Sequence, residues 1–407
     1  MSKVSRALLI LQSSTMGGME SHCIELSAEL GRRGVTVMAV LPQQASLDSV
    51  AAALRRSGAI VERIDTDGRG GRLAQVGGIA RLAQVAQRFA PDVVHIHLGG
   101  ATGGLAAVLV ARLATHAAVV VTEHDVPSAT PSAKQRINRR FLDRALHVLV
   151  AVSRHNAHLR MQRLGAPTGR MAVVINGAPL PQVSPAACAA NRARIRAQLG
   201  LAMDMTVIGS VVRLAPGKGL PTLLKAFAIV AKRHDARLLL VGGGPLEPDV
   251  HNMASALSIQ DKVVTAGHQP DPGLFVDAMD VFALAVPVGS GSIALLEAMA
   301  RGKPAVITFG NGEEAVVHEK TGIWAPPEDP DALAAALLGL SSDPDLRERL
   351  GQAAARHVSQ HYSIERLVDD LMDVYVAARD GGVPSGLRAT DPTNRQPGAR
   401  RPHRVGA

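Results

Sequence analysis

Arg213 and Lys218 stand five positions apart in RLAPGKGL, around a Pro-Gly turn that follows the apolar run TVIGSVV. Two cations at the mouth of a strand–loop–helix unit can clamp a diphosphate, the guanidinium through paired N–H donors and the ammonium as a point charge. The same spacing also describes two solvated surface cations. The loop is not a Walker A motif, because neither the glycine spacing nor a Ser or Thr after the lysine is present. Further on, GSGSIALLEAMA carries one carboxylate, Glu297, behind glycines and serines. That loop lets the backbone amides of Gly291, Ser292 and Ile293 reach an anion, with Ser292 the expected N-cap. Glu297, inside the helix that follows, can accept hydrogen bonds from both hydroxyls of a ribose. The alternative for Glu297 is a salt-bridged or solvated glutamate.

The first half of the chain offers a second group. In SSTMGGMES, Gly17 and Gly18 open a helix whose bare amides suit a phosphate, although a Gly pair there is equally plain turn chemistry. GGPLEP, after RLLLVG, is another glycine turn into a helix. DVVHIH puts His95 and His97 on one strand face, and VVVTEHDVP puts His124 just past another strand end, where a reacting group would sit. Three histidines suggest zinc, but no further close ligand cluster accompanies them, so no metal and no cofactor are expected. His95 reads as a structural histidine; His97 and Glu20 are candidates for lining the acceptor side of a cleft.

These residues need strands and helices to hold them. The chain has 407 residues, 47% of them apolar and only 2% aromatic, which suits two domains with cores of Val, Leu, Ile and Ala. Short apolar runs alternate with amphipathic stretches: ALLILQ, VTVMAV, AIVERI, DVVHIH, AVVVT, HVLVAV and MAVVI, then TVIGSVV, RLLLVG, KVVTAG, DVFALA and PAVITF. That alternation predicts right-handed βαβ units and two parallel-sheet, Rossmann-like domains. The expected layout is residues 1–178 as the first domain, 179–203 as a Pro-rich linker with a short helix, and 204–360 as the second domain. A final helix over 361–379, with Ser363 as its N-cap, is followed by a disordered basic tail over 380–407.

Composition also excludes functions. Two cysteines, Cys23 and Cys188, cannot make a disulfide framework and fit a reducing compartment. The basic-then-apolar start resembles a signal peptide, but its apolar run is too short and lacks a cleavage pattern, so a first strand is expected. ATGGLAAVLVARLATHAAVVV is interrupted by Arg112 and His116 and reads as a helix followed by a strand. The net charge is +9; the tail from Asp380 carries five arginines and two aspartates, leaving about +6 on the body. Such a surface favours phosphates or acidic lipids, and without aromatic-and-basic interleaving it does not point to nucleic acid. In PSAKQRINRRFLDRALH, Ile137, Phe141 and Ala145 follow helical spacing among Lys134, Arg136, Arg139, Arg140 and Arg144. The first expectation is a helix packed by that apolar face, and the second is docking on an anionic membrane.

Taken in order, GGMESHCIELSAELGRRG, PDVVHIH, VVTEHD, VINGA, VVRLAPGKGLPTLLKAF, LLLVGGGPLEP, VVTAGH, LLEAMARGKPAV and TGIWAPPEDPDALAAAL resemble the retaining, metal-independent glycosyltransferases of the GT-B fold, family 4 type. The resemblance covers residues 5 to about 379. It implies two facing Rossmann-like domains, a last helix crossing back onto the first, and transfer of a sugar from a nucleoside-diphosphate sugar to a glycan, lipid-linked or small-molecule acceptor. It implies that Arg213 and Lys218 hold the donor diphosphate, with Gly17 and Gly18 approaching from the other domain. Glu297 would take the ribose, Gly267 and His268 would border the nucleobase, and His124 would lie beside the anomeric carbon. It also implies a cytoplasmic protein, with peripheral attachment at the inner membrane face as the alternative. One position departs from the pattern. The family usually carries a glutamate eight positions before the one matched by Glu297, contacting donor-sugar hydroxyls; here that position is Gly289. The departure keeps open a nucleotide-sugar epimerase or hydrolase, and a nucleotide-binding homologue without activity.

Overall fold

The computed structural model describes residues 4–13, 17–66, 72–99, 104–125, 132–165, 168–180, 184–287, 291–310, 312 and 314–389. Gly289 and the tail beyond Ala389 lie outside the described residues.

The first domain carries strands β1 (Arg6–Gln12), β2 (Thr36–Leu41), β3 (Ile60–Arg63), β4 (Val93–Leu98), β5 (Ala118–Glu123), β6 (Val148–Ala151) and β7 (Met171–Val173). All pair in parallel, in the order β3-β2-β1-β4-β5-β6-β7. Between them run α1 (Gly18–Arg32), α2 (Asp48–Arg56), α3 (Arg72–Phe89), α4 (Leu105–Ala114), α5 (Ala133–Ala145) and α6 (Arg154–Leu164). The strands are apolar runs because both faces of the sheet are covered; every residue of β4 and β5 is buried. One face packs on α1 and α2 and the other on α3, α4, α5 and α6.

The second domain repeats the plan. Helix α7 (Pro185–Gln198) precedes β8 (Thr206–Val211), β9 (Ala236–Val241), β10 (Val263–Gly267), β11 (Val281–Leu284), β12 (Ala305–Thr308) and β13 (Gly322–Ala325). These strands lie in the order β10-β9-β8-β11-β12-β13, again parallel. Helices α8 (Leu220–Ala231), α9 (Glu247–Ala256), α10 (Pro272–Asp277), α11 (Ile293–Ala300), α12 (Pro330–Ser342) and α13 (Pro344–His361) cover its two faces. This is the GT-B architecture of two parallel-sheet, Rossmann-like domains. Strand order reverses between β1 and β4 in one sheet and between β8 and β11 in the other. Those switch points open crevices at the carboxyl ends of the strands, where ligands of open α/β sheets bind.

Helix α14 (Ile364–Arg379) crosses back onto the first domain. Ser363 caps it, accepting from the Arg366 amide at 3.3 Å. Ile364, Leu367, Val368, Leu371, Val374 and Tyr375 join the core beneath β1 and α1. Arg33 on α1 donates to the Glu365 carbonyl at 2.8 Å and pairs with Asp369, fixing the crossing polar edge to polar edge.

Three expectations change. The linker helix belongs to the second domain: Arg196 of α7 is fully buried, pairing with Asp280 at 2.8 Å and donating to the carbonyls of Ala202, Met203, Met205 and Ala278. The start of the basic tail is ordered against the first domain, because Val383 is buried and the Ala389 amide donates to the Met171 carbonyl at 3.0 Å. Helix α5 is turned the other way. Ile137 and Phe141 are 55% and 57% exposed, while Arg139, Leu142 and Asp143 face the core. The reason is a buried ion network, in which Glu123 at the end of β5 pairs with Arg139 at 2.8 Å and accepts from Arg160 at 3.0 Å, and Arg160 also grips Asp143 at 2.7 Å. Among the described residues no helix is long and apolar enough to cross a membrane.

Candidate functional site between the domains

Arg213 and Lys218 share the loop from β8 to α8, at the carboxyl end of the strand. Gly219 fixes that loop: its φ is +70°, and a Cβ there would meet the Ala285 carbonyl at 1.9 Å, so the turn presses against the end of β11. Arg213 is exposed and Lys218 half-buried, and neither side chain makes a hydrogen bond or ion pair among the described residues. On the neighbouring strand end, Ser292 caps α11 by accepting from the Leu295 amide at 3.3 Å, and Ile293 begins the helix. Gly291 has φ +44°, and a Cβ would come within 3.1 Å of Asn176 and of the Val152 carbonyl. Its own carbonyl accepts from Asn176 Nδ2 at 2.7 Å, so the loop reaches the first domain. Glu314 adds a second tie there, accepting from the His155 amide at 3.1 Å.

Glu297 lies one helix turn into α11, half-buried, with no hydrogen bond to its carboxyl among the described residues. Burial raises it to a pKa of about 7; Arg301 opposes the shift, while Glu25 on α1 and Asp271 before α10 reinforce it. Glu20, at the start of α1, is also raised by burial, with bonds from Ser13 and the amides of Glu20 and Gly17 and the charge of Arg213 pulling the other way. Two side chains of the second domain, Arg213 and Glu297, therefore act electrostatically on two of α1. The crevice is shared.

The opening of α1 differs from the bare anion site expected of Gly17 and Gly18. The Glu20 carboxylate turns back onto the amides of Gly17 and Glu20 and fills part of the place of an anion. The space outside remains open, since a Cβ on Gly18 would meet nothing within 4 Å. Gly267, φ +66°, also borders open space, and His268 packs 3.5 Å from where a Cβ on Gly243 would stand. These two lie at the end of β10, the edge of the second sheet, away from the switch point.

The histidines separate by role. His95 is fully committed, with Nδ1 2.7 Å from the Tyr375 hydroxyl and Nε2 2.6 Å from Thr122 Oγ1. His97 Nδ1 lies 3.1 Å from His124 Nε2. His22 of α1 stands against both, with ring centroids 5.5 and 4.9 Å away. Sequence reasoning missed His22, Asn176 and Glu25. The only signal for His22 was a histidine one turn into a helix opened by two glycines.

Residues 16–180 match Glycosyltransferase Family 4, and residues 191–357 match Glycosyl transferases group 1. The chain belongs to the group 1 GT-B glycosyltransferases. Among its relatives, the D-inositol 3-phosphate glycosyltransferase of Corynebacterium efficiens is 28% identical over 402 residues, spanning 90% of this chain and 93% of that one. The N-acetyl-alpha-D-glucosaminyl L-malate synthase of Bacillus anthracis is 24% identical, over 73% of this chain and 77% of its own. An uncharacterized glycosyltransferase of Methanocaldococcus jannaschii is 29% identical over 193 residues, about half of either chain. A glycosyltransferase from Rickettsia africae superposes with a TM-score of 0.76 at 17% identity, over 93% of this chain and 99% of that one. Anabaena HepE, solved in complex with UDP, superposes at 0.73 and 21% identity, over 90% and 98%.

The raised Glu297 pKa gives this glycosyltransferase a testable pH response. A neutral carboxyl offers poorer acceptors to a diol than a carboxylate, so a ligand donating two hydroxyls there favours the ionised form and releases a proton on binding. Affinity for a nucleoside diphosphate is expected to fall about tenfold per pH unit as pH drops from about 7 towards 6, and to level off above about 8. Calorimetry across that range checks it. Glu297→Gln should flatten this response, and an equally steep one in that variant would contradict the assignment.

Proposed function

We propose that this glycosyltransferase takes its sugar from a nucleoside-diphosphate sugar, with retention of configuration and without a metal requirement. The observation that carries the reading is the crevice in which Arg213 faces Glu20 at the opening of α1 and Glu297 faces Glu25 further along it, with Lys218 on the same loop as Arg213 and none of the three held by a hydrogen bond among the described residues. Arg213 and Lys218 take the diphosphate and stabilise the charge that grows on it as the glycosidic bond breaks. Glu297 takes the ribose hydroxyls, while Gly291, Ser292 and Ile293 present amides at the start of α11. Gly267 and His268 border the base. His124 lies beside the anomeric carbon, with His97 and Glu20 towards the acceptor. The solved complexes of HepE with UDP and with UDP-glucose support a donor of this class. A panel of nucleotide sugars, read by mass spectrometry for nucleotide release with and without candidate acceptors, tests it. Acceptor-dependent release is expected. Release that needs no acceptor would indicate a hydrolase or epimerase, and binding without turnover on any donor would indicate a lost activity.

The reversed α5 favours contact with an anionic membrane. Ile137 and Phe141 project among exposed Lys134, Arg136, Arg140 and Arg144, and Leu109 and Leu113 on the adjoining α4 are 42% and 85% exposed. Apolar side chains ringed by cations suit an acidic lipid surface, each cation adding about 1 kcal/mol. Sedimentation with vesicles should rise with acidic lipid content and fall in Phe141→Ser; binding indifferent to lipid charge would remove this part of the reading.

A further inference from the structure

We propose that His22, His97 and His124 form a binding site for a zinc-class divalent cation, with α1 and the ends of β4 and β5 each supplying one imidazole.

The three histidines each offer a nitrogen, and these nitrogens all lie within 4.8 Å of one another. In a tetrahedral site with Zn–N of about 2.0–2.1 Å, two ligating nitrogens stand about 3.3 Å apart and their ring centres about 5 Å apart. His97 Nδ1 and His124 Nε2 are 3.1 Å apart. The three ring centroids form a triangle with sides of 4.9, 5.4 and 5.5 Å. The ring centres are already spaced as those of ligands of one ion.

The local chemistry agrees. His22 is 4% exposed; the Asn176 side chain approaches its ring, but neither ring nitrogen makes a hydrogen bond of good geometry among the described residues. A buried nitrogen without a good partner costs about 1–3 kcal/mol, and an ion on one His22 nitrogen relieves that cost there. The 3.1 Å contact between His97 Nδ1 and His124 Nε2 holds one proton, which an ion bound to both nitrogens would displace. Imidazole nitrogens select zinc, cobalt or nickel over magnesium or calcium. Beneath them, His95 is fixed by Tyr375 and Thr122 with its ring centroid 4.0 Å from that of His97, buttressing that ligand. The sequence offered His95, His97 and His124 and discounted a metal because no further close ligand accompanied them; in the structure His22 stands with His97 and His124 in place of His95. The ion is proposed as bound and not as required for sugar transfer, so its uptake stands apart from the proposed donor.

The test uses the full-length protein, stripped with a chelator and dialysed against Zn2+ or Mg2+, with Co2+ as a coloured reporter. The expected result is retention of about one equivalent of Zn2+ and none of Mg2+, with the visible bands of four-coordinate Co2+. His22→Ala should weaken affinity at least about tenfold, and His22→Phe, which keeps the buried volume, should do the same with its thermal transition intact. His361→Ala breaks the other close histidine pair, His357 and His361 on α13, and should leave uptake unchanged. No saturable uptake of Zn2+ or Co2+, or uptake lost in His361→Ala but kept in both His22 variants, would overturn the site.

Discussion

Replacing Arg213 or Lys218 by alanine is expected to slow sugar transfer by about 10²–10³-fold at saturating donor, with thermal unfolding unchanged. The size of the effect follows from where charge develops. As the bond from the anomeric carbon to the diphosphate breaks, negative charge collects on the leaving oxygens, and preorganised cations in a water-poor crevice stabilise it without reorganising. Stability should be spared because Arg213 is exposed, Lys218 is half-buried and neither side chain is bonded to the fold. The loop itself is held by Gly219 against Ala285 and does not need them. Arg213→Lys should recover only part of the rate, since an ammonium cannot reproduce the paired donors of a guanidinium. The double variant should lose less than the product of the singles if both act on one diphosphate. Initial rates with acceptor in excess check all three statements; full turnover in either single variant would separate this loop from the chemistry.

Arg160→Met is expected to destabilise the first domain by about 3–5 kcal/mol. Arg160 is 1% exposed and bridges Glu123 at 3.0 Å and Asp143 at 2.7 Å, while Arg139 balances Glu123 from the other side at 2.8 Å. Two cations and two carboxylates make the network neutral, and removing one cation strands a buried negative charge. Burial already raises Asp143 despite Arg160, so the acid tolerates little further loss. Arg160→Met combined with Asp143→Leu restores neutrality and should recover much of the loss, because isosteric apolar replacement of a buried pair is often close to neutral. Urea unfolding of the first domain measures both; a loss under about 1 kcal/mol in the single variant would mean that water already reaches the network. The consequence extends to the site, since Glu123 directly precedes His124.

The strands were legible because a parallel strand covered on both faces writes itself locally as an unbroken apolar run. Every run named from the sequence overlaps an observed strand; β13, GIWA, was not read, because only its two end residues are buried and it is no unbroken apolar run. The crossover helix and its Ser363 cap were legible for the same local reason. What failed depended on partners distant in sequence. The apolar spacing of Ile137, Phe141 and Ala145 named one face of α5, but charges from β5 and α6 turned the other face inward. Arg196 looked like a linker cation until Asp280 and four carbonyls enclosed it. The cations and acid of the crevice could be named from their place after strands, whereas His22 could not, because only the packing of α1 over β4 and β5 brings it to His97 and His124.

The most direct measurement is a structure of the protein with a nucleoside diphosphate bound. The account predicts diphosphate oxygens within hydrogen-bond reach of Arg213 and Lys218, and both ribose hydroxyls on the Glu297 carboxylate, in the crevice facing α1. A nucleotide seated elsewhere, touching none of those three side chains, would contradict it.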